Sequence, residues 1–275
     1  MKKTSLIGGK VALQKDPFLI FERESGDLVT FASASNDLID LSGKPGPTSL
    51  YLSGATTGKD TVTGFGREDI LIVDQAIFDR NGDGIVTFGR NGLLDLDGPS
   101  VANNSVRFTD GPDAKAGLRL IGVDDKGAHV YADARVRPDG AVEGKLGDDV
   151  LAGDAGDAAS QTFFIDTALD VNWGNDTLTF FGANDDLVTT TAIFDGNKDG
   201  KITFGKDGLL DLNGNGALDA SHAGPQGDAS PFGKVAIKGV DGASVNALYL
   251  TETRAEDGTT YYVYKLAPIA VESLI

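Results

Sequence analysis

The apolar positions of this chain come in short runs set between glycine, aspartate and asparagine, and no segment keeps a helical period over several turns. The run Ala128–Val136 (AHVYADARV) alternates, which predicts a half-buried strand with Val130, Ala132, Ala134 and Val136 on one side. Residues 245–254 (VNALYLTETR) and 259–267 (TTYYVYKLA) read as further strands. The tripeptides at 138–140 (PDG) and 256–258 (EDG) read as hairpin turns. Asp74–Phe78 (DQAIF) and Thr190–Phe194 (TTAIF) each predict one or two helical turns. The expected fold is therefore mainly β, built as antiparallel modules with short helices beside the loops.

Self-comparison sharpens this picture. Residues 58–98 align without a gap to residues 174–214, and 24 of 41 positions are identical. Such identity reads as an internal duplication giving two related halves. A weaker echo pairs Leu120–Asp124 (LIGVD) with Ile237–Asp241 (IKGVD). Residues 140–160 are small, acidic and glycine-rich, so the division is placed at 1–140 and 141–275, with a second long loop at 220–232.

Each copy carries the pattern D-x-N-x-D-G. The first has Asp79, Asn81, Asp83 and Gly84; the second has Asp195, Asn197, Asp199 and Gly200. Alternate spacing aims three oxygen-bearing side chains at one point, and the glycine turns the backbone so that the next carbonyl, from Ile85 or Lys201, can join them. Thr87 and Thr203 occupy the next ligand position. These loops resemble the first half of an EF-hand calcium loop. The closing bidentate glutamate is replaced by Arg90 and Lys206, and the residues after the loop (IVTF, KITF) look like strands. A carboxylate from elsewhere must then complete each site, with Asp95 and Asp211 as first candidates and Asp69 and Asp185 as second. The cofactor expected is Ca2+. An Asx-turn cluster without metal is the plainer alternative.

Charge agrees with this reading. The net charge is −17, and 34 aspartates stand against 7 glutamates. Aspartate favours loops and calcium sites over helix surfaces. A polyanionic backbone would be repelled, so nucleic acid is not an expected partner. No run approaches the ~18 apolar residues of a membrane-spanning helix. Cysteine is absent, which removes disulfides and thiolate sites. Of the two histidines, His129 lies in a strand run and His222 in a loop. No zinc-protease helix, nucleophile elbow or phosphate loop is present, and the pair Asp148/Asp149 carries little weight in a chain so rich in aspartate, so no enzyme is expected.

A further motif surrounds the loops. Residues 60–73 and 176–189 share an aspartate, an aromatic residue, a glycine and a second aspartate, and residues 26–43 look like a looser third copy running from Asp27 to Asp37. These segments resemble the stretch that follows the calcium β-rolls of RTX-type proteins, and 146–157 (LGDDVLAGDAGD) resembles a little more than one RTX nonapeptide. The resemblance covers about half the chain. It implies export by type I secretion, which uses an uncleaved C-terminal signal. The acidic-then-apolar ending VESLI is similar to that signal, and the N-terminal stretch does not read as a cleaved leader. The function expected is a secreted, extracellular, calcium-binding structural protein at a cell surface, in an S-layer, fibre or matrix. It would self-associate into a polymer or lattice, with a cell-surface glycan as a further partner. The alternative is a monomeric adhesin or binding module. Residues 10–23 (KVALQKDPFLIFER) could add a strand to a neighbour, with Phe18, Ile20 and Phe21 as anchors.

Overall fold

The computed structural model describes residues 28–31, 35–43, 46–52, 58–96, 104–109, 117–124, 126–212 and 233–267. The proposed anchors Phe18, Ile20 and Phe21, the loop at 220–232 with His222, and the ending VESLI lie outside them. The chain forms two compact units, Met1–Val136 and Arg137–Ile275.

In the first unit the chain winds between two sheets. Strands β1 (Leu28–Phe31), β3 (Thr48–Leu52) and β5 (Ile70–Val73) enter one sheet, and β2 (Leu38–Asp40) and β4 (Lys59–Thr63) enter the other. Successive strands within each sheet are parallel. β6 (Ile85–Val86), β7 (Leu94–Asp95) and β8 (Ser105–Phe108) follow, with β8 parallel to β4 and β7 antiparallel to β8. The hairpin β9 (Leu118–Val123) and β10 (His129–Asp133) completes the first sheet, β10 lying antiparallel to β5 and β9 antiparallel to β6. The orders are β1-β3-β5-β10-β9-β6 and β2-β4-β8-β7.

The second unit has the same strand order. Its six-stranded sheet runs β11 (Val142–Glu143), β13 (Thr162–Ile165), β15 (Asp186–Thr189), β20 (Thr259–Lys265), β19 (Ala247–Glu256), β16 (Lys201–Thr203). Its four-stranded sheet runs β12 (Val150–Ala152), β14 (Asn175–Phe181), β18 (Lys234–Gly239), β17 (Leu210–Asp211). Parallel pairing again fills the early strands and antiparallel pairing the late ones.

Burial explains the layers. β5 (ILIV) is buried at every position, as expected of a strand covered on both faces. Val62, Val106 and Leu94 from the smaller sheet share one core with Leu50, Leu52, Leu71 and Tyr131 from the larger. Each such aliphatic side chain contributes about 1.5–3 kcal/mol on full burial. In the second unit, Phe163 and Phe181 are both fully buried, with ring centroids 5.7 Å apart.

The mainly-β expectation holds, but several finer expectations change. The sheets are mixed, not antiparallel throughout. β10 is buried on both faces, so Tyr131 is as enclosed as Val130 and Ala132. Residues 74–78 and 190–194 are not helical. Among the described residues the helical turns are two short 3-10 turns, at Ala134–Val136 and Thr167–Leu169. Asp257 and Gly258 do form a two-residue hairpin turn, both with positive φ (47° and 82°), between the paired Glu256 and Thr259. The turn at 138–140 instead leads out of the Ala134–Val136 turn towards β11. The echo of Leu120–Asp124 in Ile237–Asp241 joins strands that are not equivalent, since the first run lies in β9 and the second begins in β18. The looser copy at 26–43 is also out of phase. Its first strand, β1, lies in the six-stranded sheet, whereas β4 and β14 lie in four-stranded sheets.

Candidate metal centre

The two D-x-N-x-D-G loops adopt the same hydrogen-bond pattern. Asp79 Oδ1 accepts the N–H groups of Asn81 and Gly82, and its Oδ2 accepts that of Gly84 at 2.8 Å. Asp195 does the same for Asn197, Lys198 and Gly200, again at 2.8 Å to the glycine. The Asn81 amide donates to Asp83 Oδ2 (2.7 Å), and the Asn197 amide to Asp199 Oδ2 (2.9 Å). Gly84 and Gly200 have φ near +80°, a conformation that L side chains rarely adopt. Thus Asp79, Asn81 and Asp83 come together, as do Asp195, Asn197 and Asp199.

Of the remaining predicted ligands, Ile85 and Lys201 stay in the loops, where their N–H groups donate to Asp83 Oδ1 and Asp199 Oδ1 at 2.8 Å each. Ile85 and Lys201 open β6 and β16 and lie in register with Arg119 and Tyr249. Thr87 and Thr203 are exposed. Asp95 and Asp211 lie in β7 and β17, each in its unit's four-stranded sheet, whereas the loops lead into the six-stranded ones. Asp69 and Asp185 are buried and bind backbone instead. Asp69 accepts the N–H groups of Thr48 (2.7 Å) and Gly66 (2.6 Å), and Asp185 those of Gln161 and Gly182 (2.8 Å each). They tie each strand of the winding to the preceding one. Among the described residues, no three His, Cys, Asp or Glu side chains converge as a metal-sized group.

A buried tyrosine anchors each loop. Tyr131 Oη accepts the Ile77 N–H at 2.9 Å, and Tyr264 Oη accepts the Ile193 N–H at 2.8 Å, two residues ahead of the first loop aspartate. Burial raises both phenol pKa values, that of Tyr264 to about 12, and the nearby Asp79 and Asp195 charges push the same way.

A second arrangement stands where the parallel strands begin. The Asp37 N–H donates to Asp60 Oδ1 (2.8 Å), and the Asp149 N–H to Asp176 Oδ1 (2.9 Å). In the neighbouring register, the Lys59 N–H donates to Asn36 Oδ1 (2.9 Å) and the Asn175 N–H to Asp148 Oδ1 (2.7 Å). Asp60 and Asp176 are only 3% and 2% exposed, and the Oδ2 atom of each is buried without a hydrogen-bond partner. In the second unit the space beside this atom is defined. A Cβ on Gly144 would stand 3.3 Å from Asp176 Oδ2, 3.6 Å from Leu151 Cδ1 and 3.6 Å from Asp149 Oδ2, which accepts the Lys145 N–H, so the two carboxylate oxygens lie beside the same glycine.

Glycine makes this stacking possible. A Cβ on Gly174 (φ +90°) would fall 2.4 Å from the Gly147 carbonyl carbon, and one on Gly233 would fall 2.2 Å from the Gly174 oxygen. Three successive turns therefore touch backbone to backbone, which sets Asp149 against Asp176.

A buried carboxylate oxygen with no donor is costly to ionise. Desolvation pushes the Asp60 pKa up to about 6 and that of Asp176 to about 7. The backbone donors from Asp37 and Asp149 oppose this, while the carboxylates of Asp37, and of Asp149 and Asp148, add to it. A hard cation would reverse that balance, because oxygen ligands and negative charge are what it requires. Asp60 and Asp176 open the shared motif at 60–73 and 176–189, and Asp149 lies in the run 146–157, but their spacing does not mark them as ligands. The signal available was the triplet Gly-x-Asp at 58–60, 147–149 and 174–176.

The rest of the nonapeptide-like run closes turns. Asp154 accepts the N–H groups of Gly156, Ala158 and Ala159, which lower its pKa. Asp157 accepts that of Ala183. No protein-family model matches the chain, and no curated protein or solved structure matches it.

Proposed function

We propose that the chain is a secreted structural protein of a cell surface, fibre or matrix, whose two β units are completed by Ca2+. The observation that carries the reading is the recurrence, at equivalent places in the two units, of a buried aspartate oxygen with no partner, on Asp60 and on Asp176. The exposed D-x-N-x-D-G loops add a second class of oxygen-rich site in each unit. Export follows from the RTX-type resemblance. Carboxylates that repel one another at low calcium would leave the chain open for passage, and extracellular calcium would then close it. Self-association is supported by the sheet edges, since β2 and β12 are edge strands and carry Leu38 and Val150 at 72% and 73% exposure.

Thermal unfolding with excess calcium and with EDTA tests this reading. A clear rise in Tm with calcium is expected, and equal Tm values would overturn it. Size-exclusion chromatography under the same conditions tests assembly, with larger species expected in calcium and a monomer in both overturning that part.

A further inference from the structure

The two cradles share a pair of backbone hydrogen bonds and a buried oxygen without a partner, but differ in the charges around them. In the first unit Asn36 accepts the N–H of Lys59, and in the second Asp148 accepts the N–H of Asn175. One exchange removes a carboxylate and the other adds an ammonium, so both act in the same direction. Asn36, Asp37, Lys59 and Asp60 carry a net charge of −1, whereas Asp148, Asp149, Asn175 and Asp176 carry −3. Beside the second cradle, Glu143 and Lys145 carry opposite charges and pair with each other at 3.5 Å. In both units the buried ligand is equivalent, an Asp60 or Asp176 oxygen without a partner.

We infer that the two units take up calcium in sequence, the cradle at Asp149 and Asp176 filling at a lower concentration than the cradle at Asp37 and Asp60. The inference rests on the calcium reading above and assigns a regulation to it. Ligand and near-ligand charge sets the calcium affinity of otherwise similar oxygen sites. Two unit charges several ångströms from a dication in a partly aqueous setting separate the two affinities by about 10- to 100-fold. Asn36, Lys59, Asp148 and Asn175 are exposed, so the separation shrinks with added salt. The chain would then have a half-loaded state, with the second unit complete and the first still open.

The test is a Ca2+ titration of the calcium-stripped full chain at low and high salt. The amide signals of Asp37 and Asp149 are followed by NMR, since each N–H donates into one cradle. Trp173, the single tryptophan, is buried beside Gly174 and reports the second unit independently by fluorescence. The Asp149 and Trp173 signals should move first, and the Asp37 signal at about 10- to 100-fold more calcium. The double change Asp148→Asn with Asn175→Lys should raise the second midpoint to that of the first. The reciprocal change, Asn36→Asp with Lys59→Asn, should lower the first. Coincident midpoints in the wild type at low salt, or midpoints unmoved by both exchanges, overturn the inference while leaving calcium binding intact. Amides that never respond to calcium overturn the reading on which it rests, and the inference with it.

Discussion

At the scale of single residues, Asp176 gathers the consequences of the cradle. Its folded-state pKa of about 7 lies above the usual aspartate value of 3.8, so between these limits the folded chain holds a proton that the unfolded chain has released. Stability without calcium must therefore fall as pH rises from about 4 to about 7, by up to roughly 4 kcal/mol for this group alone. Asp60 adds a smaller loss that ends near its pKa of about 6. On the proposed reading calcium would bind the ionised form, and it should then flatten or invert the slope. Urea unfolding from pH 4 to 8, with EDTA and with calcium, checks both signs. Asp176→Asn removes the ionisation cost, so it should stabilise the calcium-free chain at pH 8 by about 1–3 kcal/mol and remove most of the second unit's response to calcium. A variant less stable than wild type in EDTA at that pH would contradict this. The residue was hard to pick out beforehand because 34 aspartates share the chain. Composition gives an aspartate's usual setting, but burial and loss of a donor arise only when distant turns stack.

At the scale of elements, the loop cores were legible and their supports were not. Alternate oxygen side chains followed by glycine locate Asp79, Asn81 and Asp83, and their second copies, because the constraint is local. The tyrosine anchors are contacts between residues 54 and 71 positions apart, beyond the reach of local pattern. Tyr264→Phe leaves the buried Ile193 N–H without its acceptor, which should cost about 1–3 kcal/mol. Amide exchange at Ile193 should accelerate to match, and exchange at Ile77, held by Tyr131, should not. Strand direction was also hidden. Alternation reports which face of a strand is buried and says nothing of the partner's direction, so β3 and β5 read as well in a hairpin as in a parallel winding. The glycine contacts are a stricter signature of that winding. Gly174→Ala places a Cβ 2.4 Å from the Gly147 carbonyl carbon at φ +90°. It should destabilise the second unit by about 2–4 kcal/mol, combining backbone strain with overpacking. A cost below that of an exposed glycine-to-alanine change would show that the turns do not stack.

At the scale of the whole molecule, a chain with no cysteine and a net charge of −17 must hold its shape against its own repulsion. Calcium bound as proposed would act on that term directly. A site with a Kd of about 0.1 mM in about 2 mM calcium stabilises the fold by ~1.8 kcal/mol, and a few such sites make up a large share of the ~5–15 kcal/mol typical of a folded domain. Assembly would draw on different residues. The cradles lie at the starts of β2 and β12, while the exposed apolar side chains Leu38 and Val150 stand on those same edge strands, free to meet another sheet. Ligation and association should then separate by mutation. Leu38→Lys with Val150→Lys places charge on both edges, which disfavours edge-to-edge pairing. The calcium-dependent rise in Tm should survive that change, while the calcium-dependent increase in particle size, followed by light scattering, should be lost. If the particles grow as before, the edges of β2 and β12 are not where the molecules join. If the Tm response vanishes as well, calcium holds the fold through those edges and not through the cradles beside them.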